Sequence, residues 1–212
     1  HCHTRRQRQM CIRDSILGMS ISYEPNHGAY IDTECVDEKA EKLLQQLFDK
    51  KRVVFHNAKF DLHFFEYHFN FKFPRFEDTM LLHYMLDENP GTHGLKQLSL
   101  KYTPYGDYEK PMYDWMDDYR KRHGMLKGDF SWDLIPFDVM KHYAALDAVC
   151  TFLLFQKFET PLLKNDRLYG VYKDILIPGT RFLVDIEDNG VPFDKGRLCL
   201  LYTSDAADEC DS

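Results

Sequence analysis

Val53-Val54-Phe55-His56-Asn57-Ala58-Lys59-Phe60-Asp61 opens on three apolar residues, two of them β-branched, and then changes character. The apolar triplet predicts a short, buried, central strand. Asn57 stands at the change, a residue type favoured at helix N-caps, and the text from Ala58 to Phe69 reads as a helix. Asp61 therefore falls in the first turn of a helix that follows a strand. The C-terminal ends of strands are where open α/β sheets assemble their sites. The expectation is an α/β domain with one carboxylate placed at the sheet edge.

A second stretch bears on that edge. Pro136 to Leu163 predicts one long helix, with Ile135, Val139, Leu146, Val149, Leu153 and Leu154 at roughly helical spacing. Pro136 suits its first turn. Tyr143 and Asp147 are four apart and so point the same way. A phenol beside a carboxylate on one face can hold a water and a metal ion together. The plainer reading is a partly buried Tyr and a solvated Asp. If the strand edge and this helix face meet, Asp61 and Asp147 converge.

The rest of the chain supplies a frame for such a meeting. Ile16 to Tyr23 reads as a strand, Pro25-Asn26-His27-Gly28 as a turn, and Ala29 to Ile31 as the return strand of a hairpin. Asp37 to Phe48 is an amphipathic helix. Asp78 caps a helix over Thr79 to Leu86, Leu95 to Tyr102 forms another, and a charged helix is expected near Asp114 to Arg122 within a loop-rich stretch from Thr103 to Trp132. Leu168 to Asn189 is helical, kinked at Pro178, and Asn189-Gly190 ends it. The aromatics Phe60, Phe64, Phe65 and Tyr67 read as core.

Asn57-x-x-x-Asp61 and Tyr143-x-x-x-Asp147 resemble the second and third motifs of the proofreading 3′–5′ exonuclease domain of family A (DNA polymerase I-like) DNA polymerases. The segments Phe76 to Asp87 and His93 to Tyr102 are similar to that family's linking helices. The resemblance runs from about Ile16 to Leu198, and Asp188 to Asp194 resembles the passage from exonuclease to polymerase domain. It implies a ribonuclease H-like exonuclease fold, a mixed sheet flanked by helices.

The two ends read differently. Arg5 to Ser15 and Cys199 to Glu209 can be encoded by opposite strands of one DNA sequence, and both resemble the translated read-through of a sequencing-library adapter. The expected organisation is a non-native head over 1–15, the exonuclease domain over 16–167, a helical exit toward a polymerase domain over 168–198, and a non-native tail over 199–212. The fold's first strand would then be missing. Setting aside four Arg in the head, one acid there and four in the tail changes 27 basic and 34 acidic residues to 23 and 29, a net charge of −6 in place of −7. An acidic domain is not a typical grip on duplex DNA, but it accords with carboxylates that hold cations. Cys35 and Cys150 remain, too few for a disulfide framework or a zinc cluster. No apolar run is long enough to span a membrane, and a cytoplasmic setting, in a bacterial or phage-infected cell, is expected.

The resemblance implies two-metal hydrolysis of the 3′-terminal phosphodiester with Mg2+ or Mn2+, whose preference for hard oxygen ligands suits carboxylates. Asp61 and Asp147 would hold metal and Tyr143 would orient the attacking water. Asn57, Phe60 and His142 would border the substrate, the single-stranded 3′ end of DNA. The family's remaining acids form an Asp-x-Glu pair on its first strand. Asp32-Thr33-Glu34 has that pattern, but here it follows the hairpin, where the family's pair precedes it, and it is taken as a decoy. The fragment itself is then expected to be inactive. Alternatives are a non-catalytic exonuclease-like scaffold in a polymerase and a stand-alone ribonuclease of the same fold. His56, His63, His68, His83, His93 and His142 are scattered and read as surface and core histidines.

Overall fold

A computed structural model describes residues 16–190 and 192 of the chain. The hairpin is present, with β1 (Gly18–Glu24) antiparallel to β2 (His27–Asp32) in a register that pairs Gly18 with Asp32. Its turn is tighter than expected, because Asn26 takes a positive φ of 63° and only Pro25 and Asn26 lie outside the strands. The strand Val53–Phe55 (β3) also forms, and it pairs in parallel with a strand that sequence reading assigned to a linking helix, Phe76–Asp78 (β4). All three β4 residues are buried. The ladder along β3 satisfies their backbone groups, and Phe76 drops into the core.

The α/β class holds, but the sheet is divided. Among the described residues the hairpin and the parallel pair are two separate two-stranded sheets, so β3 is hydrogen-bonded on one side only.

Helices fill the remainder. They are α1 (Glu38–Lys50), α2 (Ala58–Phe69), α3 (Thr79–Leu86), α4 (Leu95–Tyr102), α5 (Lys110–His123), α6 (Phe137–Leu163), α7 (Asp166–Val171) and α8 (Ile177–Asn189). Asp37 caps α1, accepting from Ala40 N at 2.8 Å. A turn of π-helix, Tyr172–Leu176, joins α7 to α8 and puts Pro178 in the first turn of α8. A proline without an N–H is tolerated there, which is how the expected kink is accommodated.

Two apolar clusters hold these layers together. One is aromatic, with Phe48, Phe55, Phe71, Phe73 and Phe76 packed around Met19, Leu62 and Val184. The other gathers Leu82, Leu98, Leu154, Phe155, Phe158, Leu162 and Tyr172. The second belongs to the C-terminal half of α6. Its N-terminal half carries Tyr143 and instead meets a smaller cluster of Met112, Phe130 and Ile135. The hairpin lies directly on α6. A Cβ on Gly28 would come within 2.5 Å of the Ala145 carbonyl oxygen, so only glycine permits that approach. Val184 and Tyr172 anchor α8 and the π-turn in the same two clusters, so the described part of the expected exit is built into the domain. Among the described residues no helix is long and apolar enough to cross a membrane.

Candidate active site

Asp61 lies in the first turn of α2, as its place after β3 predicted. The helix is not started as expected. Asn57 is left-handed, at φ 67° and ψ 56°, and its side chain makes no capping bond. Asn is among the few residues that tolerate this backbone. The cap comes from Asp78, at the end of the neighbouring strand. Its carboxylate accepts from Asn57 N at 3.0 Å and Ala58 N at 2.8 Å, and also from Met80 N at 2.8 Å at the start of α3. One buried acid thus closes the N-termini of two helices. Burial pushes its carboxyl upward while these N–H groups pull it down.

Asp147, mid-way along α6, is held by two phenols. Tyr108 donates to its Oδ1 at 2.5 Å, and Tyr143 also hydrogen-bonds to it. Tyr143 stacks toward Tyr108 with ring centroids 6.4 Å apart, and Trp132 flanks it at 6.5 Å. Burial raises the Asp147 carboxyl to about 6, against the two hydroxyls, and the nearby Glu109 charge adds to the rise. Burial, followed by the adjacent Asp147 charge, also raises the Tyr143 hydroxyl, so it is a neutral donor.

The two predicted acids come within electrostatic reach of each other. The Asp61 carboxyl is pushed up to about 7, first by burial, then by the charges of Asp78 and Asp147. Perturbation of this kind clusters at functional sites. Asn57 sits at the same strand-to-helix turn. Phe60 is exposed on α2 and packs at a tilt against Phe64, 4.8 Å between ring centroids. Of the α2 aromatics expected in the core, Phe65 packs there, whereas Phe60 and Tyr67 face outward because a helix carrying so many rings cannot turn them all inward. His142 is exposed on α6.

Asp32 and Glu34 lie at the end of the hairpin. The Asp32 carboxylate accepts from Glu34 N at 2.9 Å as a local cap, and Glu34 is exposed. The charges that act on Asp61 are those of Asp78 and Asp147.

Several participants were not singled out in the sequence. Tyr108 and Glu109 stand in the stretch of poor periodicity before α5, where no local pattern marks them. Asp78 was legible as the cap of α3 but not of α2, because its second role depends on the register that pairs Phe55 with Asp78. Three of the histidines that look scattered are gathered together. His83 and His93 share a 2.7 Å contact between their Nδ1 atoms, and burial, helped by both rings, keeps His56 neutral down to about 4. Among the described residues no group of three or more His, Cys, Asp or Glu side chains is placed to hold a metal ion. Asp61 and Asp147 therefore offer the right kind of donor, hard oxygen, in a smaller number than a two-metal site needs.

Comparison with known proteins bears on the family. A protein-family model described as 3′–5′ exonuclease matches residues 3–163, opening earlier than the boundary at 16 read from the sequence. The DNA polymerase of Escherichia phage T5 is 46% identical over 196 residues, covering 89% of this chain and 23% of that protein. The DNA polymerase of Bacillus phage SP01 is 30% identical over 166 residues, 77% of this chain and 17% of that protein. DNA polymerase I of Borreliella burgdorferi is 26% identical over 190 residues, 86% of this chain and 19% of that protein. The chain thus spans less than a quarter of the length of these relatives.

Proposed function

Because the chain belongs to the 3′–5′ exonuclease family whose model matches residues 3–163, we propose that it is the proofreading exonuclease domain of a DNA polymerase I-like enzyme. It would remove nucleotides from the single-stranded 3′ end of DNA, covalently linked to a polymerase domain in its parent protein. The observation that carries this reading is the pair Asp61 and Asp147. Two acids from different elements are desolvated within electrostatic reach of each other, and a phenol lies on one of them. The proposed domain boundaries stay at 16–167 for the exonuclease and 168–198 for the exit.

The donor set suits Mg2+ or Mn2+, which Asp61 and Asp147 would hold. When bound, such ions activate water, neutralise charge at phosphorus and assist the leaving 3′ oxygen. The chain's own residues have separable tasks. Asp147 is held in one orientation by Tyr108 and Tyr143. Tyr143, neutral and buried, can keep a hydroxyl directed at an attacking water. Phe60, exposed beside the turn that carries Asp61, offers a face to a terminal base, and Asn57 and His142 border the same approach. Asp78 is a positioning residue, because it sets the start of the helix that carries Asp61.

The test uses the chain with residues 1–15 replaced by a native strand bearing Asp-x-Glu. A 5′-labelled single-stranded oligonucleotide with Mg2+ or Mn2+ should shorten stepwise from its 3′ end, and Asp147→Ala should abolish this. An oligonucleotide left intact, or cut internally, would sink the proposal.

A further inference from the structure

We propose that Tyr172 is a positioning residue for the candidate active site, fixing the backbone of Asp78 and through it the start of the helix that carries Asp61. This rests on the reading of Asp61 and Asp147 proposed above. Tyr172 opens the π-turn and is 1% exposed, with its ring in the second apolar cluster. Its hydroxyl accepts from Asp78 N at 3.0 Å and donates to Glu77 Oε2 at 2.8 Å. A phenylalanine ring would fill the same space, so packing does not account for the hydroxyl. The hydroxyl satisfies two buried polar groups on adjacent β4 residues, a backbone N–H and a carboxylate, each costly to leave unpaired. The ladder between β3 and β4 ends at the pair Phe55 and Asp78. Tyr172 therefore holds the strand at the point where its ladder stops.

The connection to the site is short. The Asp78 carboxylate accepts from Asn57 N at 3.0 Å and Ala58 N at 2.8 Å, and Asp61 lies in the first helical turn that follows. A displaced Asp78 backbone would carry the cap of α2 with it. The Tyr172 hydroxyl is itself held in one orientation. Glu77 is 3% exposed, and its charge is paired by Lys173 at 2.9 Å and Arg52 at 3.5 Å. Tyr172 and Lys173 are adjacent in the π-turn and take the two oxygens of that one carboxylate, Oε2 and Oε1. Burial, followed by the Glu77 charge, raises the phenol, so it keeps its proton for Glu77 and its oxygen accepts from Asp78 N. Single π-turns recur at functional sites. Tyr172 lies beyond residue 163, where the exonuclease family match stops, so the segment after the match takes part in ordering the site.

Amide-proton NMR of the full chain tests this. The Asn57 and Ala58 amide protons are deshielded by their bonds to the Asp78 carboxylate. In Tyr172→Phe both should move upfield and exchange with solvent roughly tenfold faster or more. Leu162→Ala opens a cavity in the same apolar cluster and lowers stability without touching the hydroxyl, and it should leave both shifts in place. If Tyr172→Phe fails to fold, Glu77→Gln keeps the ring and weakens only the hydroxyl's acceptor, and it should move the same two amides upfield by less. Unmoved shifts in Tyr172→Phe or in its substitute, or equal movement in Leu162→Ala, overturn the proposal. In the chain with residues 1–15 replaced by a strand bearing Asp-x-Glu, Tyr172→Phe should lower kcat roughly tenfold and leave KM for the oligonucleotide unchanged. An unchanged kcat overturns the proposal as well. A replaced chain without activity counts against the nuclease reading, and the amide shifts then decide the role of Tyr172 by themselves.

Discussion

The Tyr108 hydroxyl donates a 2.5 Å hydrogen bond to Asp147 Oδ1, tying the turn before α5 to the middle of α6. Tyr108 and Tyr143 both favour the ionised carboxylate, against the burial that raises it to about 6. A charge-assisted hydrogen bond contributes about 1.5–3 kcal/mol, and one pKa unit corresponds to about 1.4 kcal/mol. Tyr108→Phe should therefore move the Asp147 carboxyl upward by about one unit or more. Carboxyl carbon NMR across pH 4 to 9 reads this directly. A titration that stays in place would mean that Tyr108 does not hold this acid.

Asp78 supports two helices at once, so its loss should be felt at both. One helix cap contributes about 0.5–2 kcal/mol, and leaving several buried N–H groups unpaired costs more. Asp78→Ala is expected to destabilise the chain by about 3–5 kcal/mol. Asp78→Asn, which keeps one acceptor oxygen, should cost less than half of that. Urea unfolding followed by circular dichroism separates the two. Equal costs would show that the retained acceptor oxygen does not hold the two helix starts and would overturn the double-cap reading.

Asp61 gives the chain a stability term that depends on pH. Its folded carboxyl sits near 7 against an ordinary value of 3.8, so the native state binds a proton more tightly than the unfolded state. The associated stability is present below about pH 4 and is lost as pH rises through 7. Asp61→Asn should therefore raise the melting temperature most at pH 8.5, with a gain that shrinks as pH falls and vanishes below about pH 4. The gain should be roughly 1–3 kcal/mol, because the solvent that still reaches Asp61 screens its neighbours. His56 works in the opposite sense. Held neutral down to about 4, it favours the folded state above its ordinary 6.5 and loses that contribution as pH falls toward 4. A variant with no gain at pH 8.5 would contradict the placing of Asp61 beside other acids.

Local pattern made much of this molecule legible. The strand Val53–Phe55 and the helix Thr79–Leu86 lie where the apolar triplet and the Asp78 cap put them. The long helix begins one residue after Pro136. What escaped the reading depends on register between distant segments. Phe76–Asp78 is a strand because β3 offers it a ladder, and nothing within three residues announces that. Asn57 does not cap its helix because Asp78 reaches it first. Tyr108 meets Asp147 only once α5 has packed on α6. Motif spacing singled out Asp61, Tyr143 and Asp147 as candidates, while the neighbours that contact and polarise them belong to tertiary structure.

The chain as it stands should be a poor nuclease. Asp61 and Asp147 contribute two carboxylates, and among the described residues no third His, Cys, Asp or Glu joins them to hold a metal ion. Asp32 could supply another, but its carboxylate is engaged with the backbone of Glu34 at the end of the hairpin. Divalent ions about 3.5–4 Å apart need several bridging and terminal oxygens, and a carboxyl that titrates near 7 is half-protonated at neutral pH. Both facts weaken cation binding. The unmodified chain should therefore bind Mn2+ weakly, more tightly at pH 8.5 than at pH 6, and leave a 3′-labelled single-stranded oligonucleotide almost undigested. Replacing residues 1–15 by a strand bearing Asp-x-Glu should tighten Mn2+ and start digestion, with Asp147→Ala abolishing it. Electron paramagnetic resonance of Mn2+ and a digestion time course measure the two separately. Equal activity with and without the replacement, lost on Asp147→Ala and also on Asp32→Ala, would mean that Asp32 leaves its cap to complete the site.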